Sequence, residues 1–300
     1  MRVSPAANLS RTPLLNAQMS KSLGKPLAQV MAIVNRTPDS FYDQGATFAV
    51  DAAVARATEA VADGASIIDV GGVKAGPGDE VDAVEEIERI VPVIAAVRAA
   101  HPDVVISADT WRADVAQAAV DAGANLINDT WAGFDPQLVE VAGANGVGYV
   151  CSHTGGAVPR TRPHRVRYDD VVADVIAETT ALAERAVSLG AREDLVFIDP
   201  THDFGKNTFH GLELLRRVDE LVATGWPVLM ALSNKDFVGE TVDRPVGERV
   251  AGTLAATAWA AARGVAAFRV HEVRETVDVI RMTAAIAGQA PPLNTVRGLA

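Results

Sequence analysis

The sequence has 300 residues, of which 49% are hydrophobic and only 5% aromatic. This is enough for one large domain with a core of small aliphatic side chains. The net charge of −11 argues against general nucleic-acid or membrane binding, because both surfaces are anionic. No continuously apolar run reaches the roughly 18 residues of a membrane span. The one cysteine, Cys151, excludes a disulfide framework and favours a cytoplasmic location and a buried strand position.

The two ends of the chain differ from the rest. Residues 1–27 contain four cations and no acid, which predicts a flexible N-terminal extension; an amphipathic targeting peptide is the alternative. Residues 289–300 contain Pro291 and Pro292 and are predicted to be a C-terminal tail. No change of composition divides residues 28–288, so we expect a single domain there.

Short apolar segments within that domain predict buried strands, because they are apolar throughout rather than alternating. Parallel strands that helices cover on both faces have this pattern. The predicted strands are Gln29–Val34, Ser66–Val70, Val104–Ser107, Leu126–Asn128, Gly148–Cys151, Val196–Ile198, Val228–Leu232 and Ala266–Val270.

Longer amphipathic segments between the strands predict helices, several of which end at a glycine such as Gly64 or Gly123. Eight strand–helix units predict an α/β fold of the (β/α)8 TIM-barrel type. A doubly wound open sheet is the alternative, but no Gly-rich phosphate turn follows the first strand. The predicted helices are Asp51–Asp63, Val81–Arg98, Arg112–Asp121, Pro136–Ala144, Asp169–Leu189, Phe209–Val222, Val246–Ala262 and Glu272–Ala287.

Every predicted strand is followed by polar or ionisable residues, and barrel enzymes hold their chemistry at these carboxyl ends. Helix caps would explain some of them, but not a lysine after the seventh strand and an Arg-x-His at the eighth. Carboxylates and amides opposite cations indicate a pocket for a polar heterocycle and an anion. The residues at the strand ends include Asn35, Asp69, Asp109, Asn128, Asp129, His153, Asp199, Ser233, Lys235, Arg269 and His271.

Seven of these segments, in order, are similar to the motifs of dihydropteroate synthases. They are MAIVNRTPDSF at 31–41, ISADT at 106–110, IND at 127–129, DP at 199–200, FGK at 204–206, SNK at 233–235 and RVH at 269–271. The resemblance covers about residues 28–288. It implies a homodimer that condenses 6-hydroxymethyl-dihydropterin pyrophosphate with p-aminobenzoate, the substrate that sulfa-type analogues mimic, in folate biosynthesis.

The resemblance also implies roles for individual residues. Asp109, Asn128 and Asp199 would hydrogen-bond the pterin ring, since a carboxylate can accept two parallel donors. Lys235 would bind a ring acceptor, and Phe204 would line the deeper part of the pocket.

Three further residues would hold the pyrophosphate. They are Arg269, His271 and Asn35, and Asn35 would also contact its Mg²⁺. If the chain is active, these three and Lys235 are the candidate catalytic residues. Asp39 and Asp43 would lie in the loop after the first strand.

The sequence departs from the family pattern in the loops that would bind the second substrate and close the site. Residues 71–78 read GGVKAGPG, with Ala75 and Gly76 where the family has threonine and arginine. Asn234 stands in place of an arginine, and His202 and Asp203 would add bulk and charge at the mouth. Losing a charged hydrogen bond costs about 1.5–3 kcal/mol.

We therefore interpret the chain as a paralogue that keeps a pterin pocket while synthase turnover is weak, lost or redirected. An active synthase, a non-catalytic binding protein, a pterin-dependent methyltransferase and a purely structural barrel remain alternatives. The basic stretch at 160–167 is either a solvated loop or a lid for an anion.

Overall fold

The computed structural model describes residues 27–35, 50–161 and 167–297. Within them, eight strands alternate with helices. The strands are β1 (Gln29–Asn35), β2 (Ile67–Gly71), β3 (Val105–Asp109), β4 (Leu126–Asp129), β5 (Gly148–Ser152), β6 (Val196–Asp199), β7 (Leu229–Met230) and β8 (Ala267–Val270).

The strands form one parallel sheet in the order β6-β5-β4-β3-β2-β1-β8-β7. Its two outer strands meet, because Ile198 forms a parallel bridge with Val228 and the Ile198 N–H donates to the Pro227 carbonyl at 2.9 Å. The sheet is therefore a nearly closed barrel. The predicted TIM-barrel class is confirmed, and the open-sheet alternative is wrong.

The barrel interior changes from apolar to polar along the strands. Met31, Ile67, Val105, Phe197 and Ala267 belong to a buried cluster, which fills the barrel at the amino ends of the strands. Since alternate side chains of a strand point to the same face, the next inward positions after Ile67, Val105, Phe197 and Ala267 are the polar residues Asp69, Ser107, Asp199 and Arg269, and on β1 the polar Asn35 follows Ile33. This alternation places the candidate site at the carboxyl ends.

The helices surround the barrel, and a second apolar cluster fills the space between them and the strands. Asp82 and Asp170 begin two helices by accepting hydrogen bonds from free backbone N–H groups, as N-cap residues do. The helices are α1 (Val50–Ala62), α2 (Ala83–Ala100), α3 (Ala113–Asp121), α4 (Leu138–Asn145), α5 (Val171–Ser188), α6 (Thr208–Arg216), α7 (Val218–Ala223), α8 (Asp236–Val242), α9 (Val250–Ala261) and α10 (Val273–Ile286).

The main differences from the sequence-based prediction lie in four places. The single helix predicted over 209–222 is divided at Arg217, whose guanidinium binds Asp170, the N-cap of α5, at 2.9 Å. Helix α8 was not predicted, and α9 begins four residues later than expected. Strand β7 covers only Leu229–Met230 of the predicted 228–232.

The chain ends were predicted to lie outside the domain. Residues 1–26 and 298–300 lie outside the described residues, as do the first loop with Asp39 and Asp43 and residues 162–166 of the basic stretch. Leu27 and Ala28 pack against the outer apolar cluster, whereas 291–297 are exposed. Among the described helices, none has the length and apolar character needed to cross a membrane.

Candidate functional site

A cavity of about 380 Å³ opens at the carboxyl ends of the strands, which is a volume typical of small-molecule sites. All eight residues that the sequence analysis selected for the site line it. They are Asn35, Asp109, Asn128, Asp199, Phe204, Lys235, Arg269 and His271. The structure thus brings the selected residues together, while their individual roles remain predictions.

The floor of the cavity holds an ionic cluster centred on Arg269. Its Nε donates to Oδ2 of Asp69 at 2.6 Å, and its Nη2 donates to Oδ2 of Asp109 at 2.7 Å. Asp69 is fully buried and also accepts from the Ser107 hydroxyl at 2.6 Å. The amide nitrogen of Asn128 lies 3.3 Å from Asp69. This network fixes the amide so that the oxygen of Asn128 is the acceptor left for a ligand.

Asp199, Asp109 and Asp203 line the cavity, and burial raises the pKa of all three carboxyl groups. Burial raises the pKa of Asp199 to about 6, and Lys235, Lys206 and Arg269 oppose the shift. Burial likewise raises the pKa of Asp109 to about 6, against the attraction of Arg269. Perturbed carboxyl groups that meet in a cavity are a feature of binding and catalytic sites.

An aromatic wall adjoins the lysine of the site. The ammonium of Lys235 lies 4.6 Å from the centre of the Phe204 ring, and Trp131 meets the same ring edge-on at 5.0 Å. Burial lowers the pKa of Lys235. Phe204 and Trp131 offer a planar ligand an apolar face beside a cation.

The loop after β6 is tied to the loop after β5. Lys206 is buried, and its ammonium donates to the carbonyls of His153 at 2.7 Å and Phe204 at 3.1 Å. The His153 N–H donates to the Thr201 hydroxyl, and the Thr201 N–H donates to Asp199 at 2.7 Å. These bonds fix the orientation of the Asp199 carboxylate at the cavity.

The loop after β7 is held by a buried carboxylate. Glu272 accepts from the Ser233 hydroxyl at 2.7 Å and from the Asn234 amide at 2.9 Å. Since the Ser233 proton goes to Glu272, the Ser233 oxygen is the acceptor for Nδ1 of His271 at 2.9 Å. Asn234, the residue in place of the family's arginine, is therefore bonded within the protein.

The loop after β2 lines the outer part of the cavity. Lys74, Ala75, Gly76 and Pro77 contribute to the wall. A Cβ added at Gly76 would have only the Cε of Lys74 within 4 Å, at 3.9 Å. There is thus space for a side chain at residue 76, where the family has arginine. In the described part of this wall, the positively charged residue is Lys74.

The expectation for His202 was wrong, and that for Asp203 was incomplete. His202 is fully buried beside Phe237, with 5.1 Å between the ring centres, and does not line the cavity. Burial lowers its pKa to about 3, so it brings no charge to the mouth. Asp203 lines the cavity, but its carboxylate accepts the backbone N–H groups of Asp236 and Phe237 at the start of α8.

Other polar strand ends have structural roles. Asp129 is buried, with a pKa that burial raises to about 6. It accepts from the Tyr149 hydroxyl at 2.7 Å and from the Gly133 and Trp131 N–H groups, which holds the loop after β4. Cys151 is buried and unpaired, as predicted.

Sequence reasoning missed the roles of two residues that shape the site: it named Asp69 only as a polar strand end, and it placed Glu272 only at the start of a helix. An acid inside the apolar run IIDVG was a usable signal for Asp69, because such a side chain needs a buried partner. Glu272 gave no comparable signal, since it directly follows the RVH motif and resembles an exposed first residue of a helix.

The barrel, the polar inner face and the cavity define a small-molecule-binding barrel of the α/β class. A family model described as "Pterin binding enzyme" matches residues 31–271. Because the match covers most of the chain, the protein belongs to the pterin-binding enzyme family, within which it is dihydropteroate-synthase-like.

Some relatives of this chain are named as inactive dihydropteroate synthases, and others are named as dihydropteroate synthases. The chain is 64% identical over 285 residues to an "Inactive dihydropteroate synthase 2" of Mycobacterium leprae, covering 92% of this chain and 98% of the relative. A solved Mycobacterium tuberculosis protein is 51% identical, with a TM-score of 0.69 and coverage of 90% and 98%. The Yersinia pestis dihydropteroate synthase, solved with a sulfonamide drug, is 35% identical, with a TM-score of 0.81 and coverage of 87% and 95%.

Proposed function

We propose that this protein binds a pterin, or a pterin pyrophosphate, in the barrel cavity and forms dihydropteroate poorly or not at all. The observation that carries the proposal is that Asp109, Asn128, Asp199 and Lys235, which are far apart in sequence, line a single cavity of about 380 Å³. Family membership supports the ligand class, and the altered loops support the weak turnover.

The hydrogen-bonding groups of the cavity suit a pterin. Asp199 has one oxygen bonded to the Thr201 N–H and keeps acceptor capacity for the guanidine-like edge of the ring. The Asn128 oxygen is a second acceptor, and Lys235 is a donor for a ring acceptor. Phe204 adds an apolar surface against which a flat ring can pack.

The loss of turnover follows from two missing arginines of the family pattern. The arginine replaced by Gly76 would contact p-aminobenzoate, so without it the site offers less charge to that carboxylate or to a sulfa-type analogue. The arginine replaced by Asn234 would lie over the pterin face, whereas the Asn234 amide is bonded to Glu272. Losing one charged hydrogen bond at about 1.5–3 kcal/mol corresponds to roughly ten- to a hundredfold in affinity. The name of the Mycobacterium leprae relative agrees with this proposal.

Magnesium would enter with the pyrophosphate as part of the substrate. The Asn35 amide lies at the cavity and supplies one oxygen of the kind that Mg²⁺ prefers. Both Asp109 oxygens are bonded to Thr130 and Arg269. Among the described residues this donor set fits an ion carried by phosphates better than a resident ion. His271 and Arg269 are the groups proposed to hold the pyrophosphate itself.

We also propose a homodimer through α6, α8 and α9. An apolar groove of about 350 Å³ lies between these helices, lined by Leu215, Phe237, Val242, Gly252 and Trp259 among others. Phe209, 79% exposed, and Trp259, 46% exposed, are large apolar side chains for a monomer surface. Light scattering after gel filtration should give twice the chain mass, and Trp259→Glu should give the monomer.

The proposed compartment is the cytoplasm. Cys151, the only cysteine of the sequence, is buried and unpaired, which suits a reducing environment. Fractionation of cells that produce the full chain, followed by immunodetection, tests this location.

The test of the function combines binding and turnover in one preparation. Calorimetric titration with 6-hydroxymethyl-dihydropterin, and with its pyrophosphate plus Mg²⁺, measures binding; chromatography after adding p-aminobenzoate measures product. We expect binding, and turnover at least a hundredfold below a typical rate of about 10 per second. Asp199→Asn should weaken binding by about tenfold or more. Asp278→Asn, an exposed carboxylate on α10, is the matched control.

The three outcomes separate the alternatives. Binding without product supports the proposal. Binding with a rate within tenfold of about 10 per second identifies an active synthase and contradicts it. No pterin binding by the folded protein would show that the cavity serves another ligand.

A further inference from the structure

Outside the barrel cavity, three ligand-type side chains meet between β5 and α5. His153 follows β5, and Asp174 and Glu178 lie one turn apart on α5. Nε2 of His153 is 3.0 Å from Oδ2 of Asp174 and 3.4 Å from Oε2 of Glu178. One ligand atom from each residue lies within 4.8 Å of the others. We call these three residues the His153 cluster.

One side chain of the His153 cluster is buried and the other two are partly exposed, as is common in a binding site. The His153 side chain is fully buried, whereas those of Asp174 and Glu178 are 44% and 56% exposed. The imidazole therefore has a fixed place, and the side facing the carboxylates is open to water and ions. Such a site offers three protein ligands and free positions for water.

Hydrogen bonding leaves the cluster incompletely satisfied. A neutral imidazole has one N–H, so Nε2 cannot donate fully to both carboxylates. The other ring nitrogen of His153, Nδ1, is buried without a hydrogen-bond partner in the described chain. In the metal-free chain Nε2 carries the proton, because it lies 3.0 Å from a carboxylate oxygen that can only accept. An ion that binds Nε2 would take the place of this proton, and the neutral ring would then carry its proton on Nδ1.

The buried cation Lys206 does not neutralise the two carboxylates directly. Lys206 interacts with Asp174 and Glu178 only at longer range, because its ammonium donates to backbone carbonyls, at 2.7 Å to His153 and 3.1 Å to Phe204. No arginine or lysine of the described residues forms an ion pair with Asp174 or Glu178. Two adjacent negative charges beside an imidazole favour a divalent cation.

We propose that the His153 cluster binds a divalent transition-metal ion of the zinc class. One imidazole nitrogen with two carboxylate oxygens suits Zn²⁺, Co²⁺ or Mn²⁺, whereas Mg²⁺ and Ca²⁺ favour sites made of oxygen alone. With three protein ligands and water, the affinity should be micromolar, in the range of about 1–100 µM. This site is separate from the pterin cavity, since none of its residues lines it.

The fold connects the proposed ion to the cavity through His153. The His153 N–H donates to the Thr201 hydroxyl at 3.1 Å, and the Thr201 N–H donates to Asp199 at 2.7 Å. An ion that joins His153 to α5 would therefore stabilise the backbone that orients Asp199. The first expected effect is a higher melting temperature, because binding to the native state alone stabilises it.

The test uses the full chain without an affinity tag, freed of metal by a chelator. Calorimetric titration with Zn²⁺ should show one ion per chain, and Co²⁺ should give the visible absorption of a coordinated ion. Asp174→Asn and Glu178→Gln should each weaken Zn²⁺ binding by about tenfold or more. Glu184→Gln, an exposed carboxylate on the same helix, is the matched control and should bind as the wild type does.

Two results would overturn the proposal. One is the absence of Zn²⁺ binding at millimolar concentration by the folded wild type. The other is binding that both substitutions leave unchanged. The circular dichroism of each variant checks its fold. Should a variant fail to fold, nitrogen-15 NMR of the wild-type histidine rings replaces it, since Zn²⁺ must shift the Nε2 resonance of His153. Neither result depends on pterin binding, so the two proposals fail independently.

Discussion

The guanidinium of Arg269 on β8 and the carboxylate of Asp109 on β3 form an ion pair across the barrel, with 2.7 Å between Nη2 and Oδ2. The family resemblance assigns the first to pyrophosphate and the second to the pterin ring. In the structure each is the partner of the other, and Asp69 completes the cluster at 2.6 Å from Nε. The charged side chains at these strand ends are thus paired with one another, and Asp109 and Arg269 also line the cavity.

Replacing Arg269 should destabilise the protein. Arg269→Gln leaves the buried carboxylate of Asp69 and the partly buried one of Asp109 without their cation, and removing one partner of a buried pair typically costs about 3 kcal/mol. Urea unfolding followed by circular dichroism measures the change. Arg274→Gln, an exposed arginine on α10, should leave the free energy of unfolding within about 0.5 kcal/mol of the wild type. Equal values for both variants would mean that the pair contributes nothing.

Pterin affinity should increase with pH around the pKa of Asp199. Burial raises that pKa to about 6, so the carboxylate is mostly protonated at pH 5 and mostly ionised at pH 7. Because only the ionised form accepts two parallel donors, affinity should rise about tenfold over this interval. Titrations at several pH values measure the profile. In Asp199→Asn the remaining dependence should be smaller, and an equally steep profile there would assign the effect to another group.

The barrel and its site residues could be predicted because strand polarity and register follow from local sequence. Each predicted strand has polar residues at or just after its carboxyl end, and parallel strands carry these ends to the same rim. The eight selected residues, Asn35 to His271, therefore had to meet once the eight strands were recognised.

What could not be predicted depends on partners that are distant in sequence. Nothing near Arg269 indicates that Asp69 and Asp109 will bind it, since these residues lie on strands β2 and β3. Helix α8 is too short for a periodic pattern, and its N-terminus is capped by Asp203 from another loop. The pattern of residues 200–206 gave the position of His202 but not the direction of its side chain, which is buried beside Phe237.

The glycine of the FGK motif should be irreplaceable. Gly205 has a φ of 62°, and an added Cβ would collide with the carbonyl oxygen of Thr154. Gly205→Ala must therefore displace the loop that carries Phe204 and Lys206, and we expect a loss of more than about 2 kcal/mol in stability together with weaker pterin binding.

Gly133→Ala separates the steric effect from the backbone effect. Gly133 has a similar φ of 73° and no atom within 4 Å of the added Cβ, so it should cost only about 1 kcal/mol. Thermal unfolding and pterin titration compare the two variants. A Gly205→Ala protein as stable as Gly133→Ala would show that the loop can adapt.

Restoring the family residues should test whether the altered loops cause the proposed loss of turnover. Gly76→Arg should be accommodated, because the added side chain starts in open space. Asn234→Arg should cost about 1–2 kcal/mol, because Asn234 has a φ of 59° and its amide bond to Glu272 is lost. We expect dihydropteroate formation from the triple variant Ala75→Thr, Gly76→Arg and Asn234→Arg, and less from any single change, since one arginine would act on p-aminobenzoate and the other on the pterin, and both substrates must be held in one site. Product chromatography measures turnover, and Arg274→Gln is the control.

If the folded triple variant binds pterin but forms no product, the loss of turnover has another cause. Asp203, which holds α8 beside Lys235, is then the next position to change.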